Sequence, residues 1–523
     1  MGVWAGAFTV VIAACSATDD ANVEDDGGAG AASGGTESSG ITVGVGGGAP
    51  KLGVPQTCAE ALEQNSYLGC EYWPTVTSNA GLYSSFEFAI VAANPTNSDA
   101  VVTVERGGQQ LAQHTIAPAA LVTIPLPWVD ALKQADPNGD GSGLTSVLAQ
   151  GGAYRVTASV PITLYQFNPL EFQLASTPPD CPNALELGGC FSFTNDASLL
   201  LPTSALRNDY FVMSYPTFHI GFSDIFTPQP TWSDNPGFVA ITATADGTSI
   251  QVYSSAHVRP GSGVAGIAAG GQGNYTLNRG DVLMLSTAEP PATATHQPGK
   301  PCEVDNNGLT QITKCPTGPE YDLTGTRVMS DKPISVIGGH DCTFVPYNRF
   351  ACDHLEESMF PVEALGQDLF VTAPQAVAAI ESGVSTPDNT FVRVLSAVDN
   401  NNISFEPAVN APVTLNAGQW MEIGPVKQDF RVLADNKIMV SQYMVGENFG
   451  GESAGAGDPA QSVAIPTEQY RAAYTFLAPS SYTFNYVNVV APSGATISID
   501  GQPIAPSSFS PIGGTGYGVA RHR

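Results

Sequence analysis

A nearly palindromic segment holds the densest group of chemically active side chains in the sequence. Residues 340–354 read HDCTFVPYNRFACDH. If Cys342 and Cys352 are bridged across an antiparallel strand pair, a single register brings like residues together on the two strands. The facing pairs in that register are His340 with His354, Asp341 with Asp353, and Phe344 with Phe350.

The histidine pair of this segment could bind a metal ion. Imidazole nitrogens are common ligands of zinc and copper, and Glu356 is a candidate third ligand. The simpler interpretation is that both rings pack on the disulfide and hydrogen-bond to backbone carbonyls. Because the spacing does not fix a third ligand, we favour packing. A metal-dependent hydrolase centred on His340 and His354 remains the alternative function.

A second candidate site is a calcium loop. Asp136, Asn138 and Asp140, with Gly141 at the sixth position, match the first half of a loop whose alternate oxygens wrap Ca²⁺. The twelfth position is Val147 and not a bidentate glutamate. A polar surface loop is therefore the favoured interpretation. The expected cofactor is none, with calcium as the alternative.

A serine motif is also present. Residues 451–455, GESAG, match the nucleophile elbow G-x-S-x-G. That elbow needs a strand before it and a helix after it, whereas glycine-rich sequence flanks this segment. We therefore expect a loop, no catalytic residue and no enzymatic activity.

The elements that would position these residues come from a repeated phrase. Residues 152–169, 325–341 and 429–446 each contain two alternating apolar–polar stretches around a short polar segment. Alternation with a period of two on both sides of a polar turn predicts a β-hairpin. Three copies indicate duplicated β units, which are more typical of binding or structural scaffolds than of enzymes.

A second phrase sets the length of the unit. It begins at Leu201, Phe360 and Ile465, and strand-like runs follow each copy. About 100 residues with about seven short strands is the size of one β-sandwich. We predict an all-β fold of tandem antiparallel β-sandwich-like units, with a propeller-like β array as the alternative. The predicted units are about 57–190, 191–355, 356–460 and 461–523.

Composition agrees with many short strands and excludes one class of partner. Charged residues make up 13% of the 523 residues, against about 25% in ordinary globular proteins. The 55 glycines and 40 prolines are typical of strands joined by tight turns. The net charge of −29 would repel a phosphate backbone, so no nucleic-acid partner is expected.

The N-terminal sequence predicts export and anchoring. Residues 1–15 form a short apolar segment that ends in small residues, which is typical of a secretory signal. Ile12–Cys15 resembles a bacterial lipobox, in which the cysteine is diacylated after cleavage. The sequence departs from the pattern in that no basic residue occurs before Lys51. Small residues before the cleavage site are shared by both kinds of signal, so an ordinary secretory signal with a chance cysteine remains the alternative. Residues 16–56 are acidic and rich in Gly, Ser and Ala, which predicts a disordered tether.

The cysteines support an oxidising compartment. Without Cys15, eight of the nine remain, and they fall into four close pairs. An even number, local spacing and a secretory signal predict four disulfides. The predicted bonds are Cys58–Cys70, Cys181–Cys190, Cys302–Cys315 and Cys342–Cys352.

Several of these segments together resemble a known family. The stretch from Gly339 to Glu356, with Cys352-Asp353-His354-Leu355 as its most distinctive part, is similar to the N-terminal domain of IgG Fc-binding protein. The supporting segments are Tyr72-Trp73-Pro74, Tyr165–Asn168, Ser330–Pro333, and Gly457-Asp458-Pro459 leading to Ile465-Pro466. The resemblance covers roughly residues 57–520.

The resemblance implies a non-enzymatic binding or adhesive module of the cell surface. It does not imply that this chain binds immunoglobulin. Combined with the lipobox, it predicts a bacterial lipoprotein of the cell envelope, held by its lipid in the outer membrane or at the cell surface. The expected partner is an unknown surface protein or glycan. Related sequences continue beyond the point where this one stops at Arg523, so the last unit is expected to be incomplete.

Overall fold

The computed structural model describes residues 7–13, 39–44, 53–64, 66–136, 140–178, 181, 189–291, 300–376, 386–446, 449, 458–480, 482 and 484–523. The prediction of an all-β protein is confirmed, since about half of the chain is strand and only 5% is helix. The strands form several curled antiparallel sheets, consistent with tandem β-sandwich-like units.

The first unit contains two short helices and a seven-stranded sheet. The helices are α1 (Cys58–Gln64) and α2 (Asp130–Lys133). Two strands precede the unit, β1 (Ala7–Ala13) and β2 (Ser39–Gly44). The strands that follow are β3 (Gly69–Tyr72), β4 (Phe88–Ala93), β5 (Ala100–Arg106), β6 (Gln109–Ile116), β7 (Leu121–Leu126), β8 (Ser146–Ala149) and β9 (Arg155–Asn168). The seventh strand of the sheet is β10 (Asp196–Leu199), whereas β8 belongs to the nine-stranded sheet of the second unit.

The second unit is the largest and carries an additional small sheet. Its strands are β10 (Asp196–Leu199), β11 (Arg207–Phe211), β12 (Phe218–Asp224), β13 (Thr231–Asn235), β14 (Gly237–Ala243), β15 (Thr248–Tyr253), β16 (Gly261–Ser262), β17 (Gln272–Leu277), β18 (Val282–Ser286), β19 (Glu303–Asn307), β20 (Thr310–Cys315), β21 (Arg327–Thr343) and β22 (Asp353–Ser358). A single 3₁₀ turn, Pro319–Tyr321, precedes β21.

In the described part of the last two units there are three further 3₁₀ turns, at Val362–Ala364, Thr467–Gln469 and Pro506–Ser508. The third unit has β23 (Gly366–Val371), β24 (Thr390–Ser396), β25 (Asn401–Glu406), β26 (Val413–Leu415), β27 (Trp420–Val426), β28 (Phe430–Met444) and β29 (Gln461–Val463). The fourth has β30 (Ala473–Phe476), β31 (Phe484–Pro492), β32 (Thr496–Ile499), β33 (Gln502–Pro503), β34 (Ser510–Pro511) and β35 (Tyr517–His522).

The N-terminal strands join the sheets of the fourth unit. Strand β1 pairs in parallel with β31, and β2 lies between β30 and β32. They fall within the segments predicted as signal and tether, whose boundaries stay predictions.

The repeated phrase that predicted hairpins forms one long strand in each of the first three units, so that prediction is wrong. Strands β9, β21 and β28 run through the polar segment without a turn. In β9 the first half pairs with β5, whereas the second half pairs with β4 and β10. A bent strand shared between two sets of partners shows the same period of two as a hairpin, and only long-range pairing separates them.

A tyrosine holds the bend of the long strand in the first two units. The Tyr72 hydroxyl accepts a bond from the Gly69 N–H at 2.8 Å and donates to the Ile162 carbonyl at 2.5 Å. In the second unit the Tyr210 hydroxyl repeats this contact with the Ile334 carbonyl at 2.8 Å. Because each carbonyl lies just after the polar segment, the bond fixes where the strand changes partners.

Three short strands bring the units together. Strands β10, β22 and β29 each pair antiparallel with the second half of a long strand, respectively β9, β21 and β28. They also lie against one another, β10 beside β22 and β22 beside β29. The largest apolar core joins the first two units and extends to Leu395 and Met439 of the third. We call the place where these three strands meet the junction.

Candidate functional site

All four predicted disulfides are present: Cys58–Cys70, Cys181–Cys190, Cys302–Cys315 and Cys342–Cys352. The Cys302–Cys315 bond closes the β19–β20 hairpin at its open end. The Cys342–Cys352 bond closes the loop between β21 and β22. Two disulfides thus lie in and near the palindromic segment.

The register predicted for the palindromic segment is wrong. His340 lies opposite Leu355, one residue from the predicted His354, and Thr343 lies opposite Asp353, two residues from its predicted partner. The two offsets differ because a bulge between His340 and Thr343 places an extra residue on β21 and shifts the pairing by one. The aromatic contact survives the shift, with the rings of Phe344 and Phe350 edge to face at 5.8 Å.

The two histidines have different partners. His340 Nε2 lies 3.1 Å from the Pro216 carbonyl, as the packing interpretation expects. Burial lowers the pKa of His340 to about 3, so the ring is neutral at physiological pH. His354 instead faces a group of polar side chains from the first unit. The strand pairing therefore gives no support to the interpretation that the two histidines bind one metal ion.

His354 belongs to a fully buried polar network with Thr77, Asn168 and Glu356. The Thr77 hydroxyl donates to Glu356 Oε2 at 2.5 Å and accepts from Asn168 Nδ2 at 2.9 Å. His354 Nε2 lies 3.2 to 3.3 Å from Thr77 Oγ1, Asn168 Nδ2 and Glu356 Oε2. We call these four residues the buried tetrad.

A second layer holds the tetrad in place. Gln166 Nε2 donates to Glu356 Oε1 at 3.0 Å, and the same amide exchanges two bonds with the backbone of Thr75. Asn79 Nδ2 lies 3.3 Å from Asn168 Oδ1. A hydroxyl, a carboxylate, an imidazole and a carboxamide in mutual contact are able to transfer protons. Since all four side chains are buried, a proton transfer among them can act only on groups of the chain itself.

Asp196 connects the three strands of the junction. Its Oδ2 accepts from the Glu356 N–H at 2.9 Å and from the Gln461 N–H at 3.1 Å, and its Oδ1 accepts from the Ala197 N–H at 2.9 Å. Burial raises the pKa of Asp196 to about 7 despite these bonds. One carboxyl group thus joins β10, β22 and β29.

Two further carboxyl groups are buried at the same place. Burial, followed by the nearby charges of Asp458 and Asp196, raises the pKa of Asp353 well above its ordinary value. Burial likewise raises the pKa of Glu357, whose Oε1 accepts from Ser198 Oγ at 2.8 Å. The junction therefore binds protons more readily than the unfolded chain does.

The predicted calcium loop is described only in part, because Asn138 lies outside the described residues. Asp136 Oδ2 accepts from the Gly141 N–H at 2.8 Å, whereas its Oδ1 is buried without a hydrogen-bond partner in the described part of the chain. Asp140 Oδ1 accepts from the Ser142 hydroxyl and N–H, bonds that lower the pKa of Asp140. The calcium site stays a prediction.

The described residues contain no group of three His, Cys, Asp or Glu side chains placed to hold a metal ion. The serine motif at 451–455 lies outside the described residues. No helix in the described part of the chain is long and apolar enough to cross a membrane.

The second unit has a separate four-stranded sheet. Its strand order is β13-β12-β20-β19, and we call it the finger. Its base packs on the disulfide loop through Phe218 and Phe344, whose ring centroids are 4.5 Å apart. Inside the base His219 stacks on Trp232 at 3.9 Å and binds Asp234 at 2.6 Å.

The tip of the finger is apolar and exposed. Of the ten large apolar side chains that are exposed among the described residues, five lie on the finger. They are Phe222, Ile225, Phe226, Val304 and Leu309, with Phe226 85% exposed. Four of them lie toward the tip, whereas Val304 lies near the base, two residues from Cys302. The turn after β12, which carries Ile225 and Phe226, is ordered, because Asp224 Oδ1 accepts from the N–H groups of Phe226 and Thr227. The Ile225 N–H also donates to the Leu309 carbonyl at 3.1 Å.

A cavity of about 390 Å³ lies between the finger base, the disulfide loop and the third unit. Its lining includes Tyr215, Tyr347, Phe391, Lys300 and Glu422. Arg393 forms part of the wall, where it binds Asp322 at 2.9 Å and Glu422 at 3.1 Å and lies over the rings of Tyr215 and Trp420. The cavity has the volume of a small-ligand pocket.

Comparison with protein families identifies the chain. A family model described as IgGFc binding protein matches residues 196–523, the C-terminal two-thirds of the chain. The chain belongs to the IgGFc-binding protein family. The match starts at the first residue of β10, and the first unit, which lies outside it, contains the same kind of long bent strand. No curated protein and no solved structure matches the chain.

Some of the segments that resemble the IgGFc-binding family are far apart in sequence but meet in the structure. Residues 353–357 of β22 meet Gln166 and Asn168 of β9 in and around the buried tetrad. Thr77 and Asp196 complete this region but were not foreseen. The sequence offers no signal that Thr77 is buried, since threonine is common in exposed strands as well.

Proposed function

We propose that this member of the IgGFc-binding family is a non-enzymatic binding protein of the bacterial cell surface that holds a protein partner through the finger tip. The observation that carries the proposal is the concentration of exposed apolar side chains on that tip. A soluble protein rarely gathers such residues in one place unless they meet a partner.

The finger is built to present these residues in a fixed geometry. Disulfide Cys302–Cys315 closes its base, the bonds to Asp224 order its turn, and the stacked His219 and Trp232 fill its interior. An ordered surface loses less conformational entropy on binding than a flexible one. Phenylalanine is also among the residues enriched in protein interfaces. A partner with an apolar groove fits this tip.

The test is binding of the full-length protein to immobilised immunoglobulin Fc and, in parallel, to surface proteins extracted from the producing cells. In the variant Ile225→Ser/Phe226→Ser we expect at least a tenfold loss of affinity for whichever probe binds. The matched control is Leu111→Ser on β6, which removes an exposed leucine outside the finger. Equal loss in both variants, or none in either, would refute the finger as the binding surface.

The proposal separates clearly from its alternatives. A glycan ligand would have to use the aromatic-lined cavity, so a glycan array that binds independently of Phe226 would favour it. A hydrolase would have to bring its substrate to His340 and His354, whose side chains are fully buried. Metal analysis of the purified protein tests that case, since stoichiometric zinc would support it.

Anchoring is a second part of the proposal. We infer a diacylated Cys15 that leaves residues 16–56 as a tether between the membrane and the β units. Stable anchoring needs two acyl chains, because a single chain binds only marginally. Cys15→Ser should therefore move the protein from the membrane fraction to the soluble fraction. Equal retention of both forms would contradict the lipid anchor.

A further inference from the structure

Thr77 and Asn168 meet in the geometry that precedes an acyl transfer. The Thr77 hydroxyl has a carboxylate at 2.5 Å, within reach of a general base, and the carboxamide of Asn168 at 2.9 Å. The reacting carbon of Asn168, Cγ, is one bond beyond that nitrogen. Rotation about the broad Cβ–Cγ torsion of asparagine turns the face of Cγ toward the hydroxyl.

Two neighbours are placed to assist the transfer. Asn79 Nδ2 lies 3.3 Å from Asn168 Oδ1, where negative charge would develop. His354 Nδ1 is buried without a hydrogen-bond partner among the described residues. An N–H on Nδ1 would have no acceptor there, which is costly for a buried group, so the polar contacts of the ring are made through Nε2. That Nε2 lies 3.2 Å from Asn168 Nδ2, the atom that would leave.

We propose that the chain joins Thr77 and Asn168 by an intramolecular ester that it forms itself. Glu356 Oε2 removes the hydroxyl proton while Thr77 Oγ1 attacks Asn168 Cγ, and the carbonyl electron pair moves to Oδ1. When the carbonyl reforms, the Cγ–Nδ2 bond breaks and the nitrogen leaves as ammonia with the proton that Glu356 removed from Thr77. His354 Nε2 lies 3.3 Å from Glu356 Oε2 and 3.2 Å from Asn168 Nδ2, and so keeps these two groups in place.

This step balances without another reactant. A hydroxyl and a primary carboxamide become an ester and ammonia, and both Glu356 and His354 end in their initial states. Ammonia diffuses away, which draws the reaction forward. Holding both reacting groups in place replaces a bimolecular reaction by a unimolecular one. The absence of solvent exposure at all four residues of the tetrad excludes the water that would hydrolyse the ester.

The position of the bond gives it a mechanical consequence. It would link the loop after β3 to the end of β9, residues that are 91 positions apart. Glu356, which lies beside it, belongs to β22 of the second unit. A covalent bond at this place would keep the first unit closed when the ectodomain is pulled, which suits an adhesive surface protein but does not depend on the proposed partner.

Peptide mapping of the full-length protein tests the ester. After reduction and trypsin digestion, Thr77 lies in residues 52–106 and Asn168 in residues 156–207. We expect one joined species, lighter than the two peptides together by one ammonia, which hydroxylamine separates. Two unjoined peptides with unmodified masses would overturn the proposal. So would a free 156–207 peptide whose asparagine is merely deamidated.

Matched variants distinguish chemistry from folding. Thr77→Val and Glu356→Gln should abolish or strongly slow joining, whereas Thr77→Ser retains the hydroxyl and should retain the joined species. Thr75→Val is the control, since the Thr75 hydroxyl binds Trp73 and Thr242 instead. Joining that persists in Thr77→Val would show that another residue is the nucleophile and would refute the assignment.

Discussion

Replacement of Asp196 by alanine should loosen the junction selectively. In the native protein this side chain accepts from the backbone N–H groups of Glu356 and Gln461, which belong to different strands. The alanine variant leaves both donors buried without their acceptor. An unsatisfied buried donor costs about 1–3 kcal/mol, so the two together predict a loss of about 2–6 kcal/mol of stability.

Hydrogen exchange measured by mass spectrometry reports this loss locally. At 1–3 kcal/mol per amide, exchange should accelerate by about 5–150-fold in the segments that contain β22 and β29. The measurement is best made at pH 6, where the carboxyl of Asp196 is mostly protonated, given its pKa of about 7.

The matched control is Asp331→Ala. Asp331 also accepts one backbone N–H, from Ser249 at 2.8 Å, but it is exposed. Water can replace that acceptor, so the stability should change by less than about 0.5 kcal/mol. If exchange in β22 and β29 of the Asp196 variant stays within twofold of wild type, the role assigned to Asp196 is incorrect.

Three further predictions concern charge and covalent closure. The raised pKa of Asp196 means that its contribution to stability is fully present below about pH 4 and is lost as the pH rises through about 7. The urea midpoint of wild type should therefore fall from pH 5 to pH 8 relative to that of Asp196→Asn. The lowered pKa of His340 changes stability in the opposite direction, and only below its ordinary value of 6.5. Cys342→Ala/Cys352→Ala removes a disulfide with a sequence separation of 10 and should lower the free energy of urea unfolding by about 2–3 kcal/mol. Partner binding should be lost as well, because the finger packs on this loop. Cys58→Ala/Cys70→Ala should lower stability by a similar amount and leave binding unchanged. Arg393→Met leaves Asp322 and Glu422 without their cation and should cost about 3–5 kcal/mol, against less than about 1 kcal/mol for Arg431→Met, whose pair with Asp368 is a quarter exposed.

The sequence by itself determined the fold class and the covalent framework. Alternation of apolar and polar residues, frequent Gly and Pro, and low charge were enough to predict an all-β protein, because those patterns are local. The four disulfides followed from short separations between cysteines, such as the separation of nine positions from Cys181 to Cys190. The distinctive segment 352–355 was enough to recognise the family that the model match confirms.

Tertiary structure decided what the repeated phrase becomes and which residues meet. Strand β9 could have turned back on itself, but pairing with β3, β4, β5 and β10 holds it extended. The pairing of His340 with Leu355 depends on a bulge, which is set by the backbone of both strands. No periodicity encodes the meeting of Thr77, Asn168 and Glu356, because their contacts join residues far apart in the chain. Local sequence patterns determine the strands, whereas packing among strands that are distant in sequence determines which polar side chains are buried together.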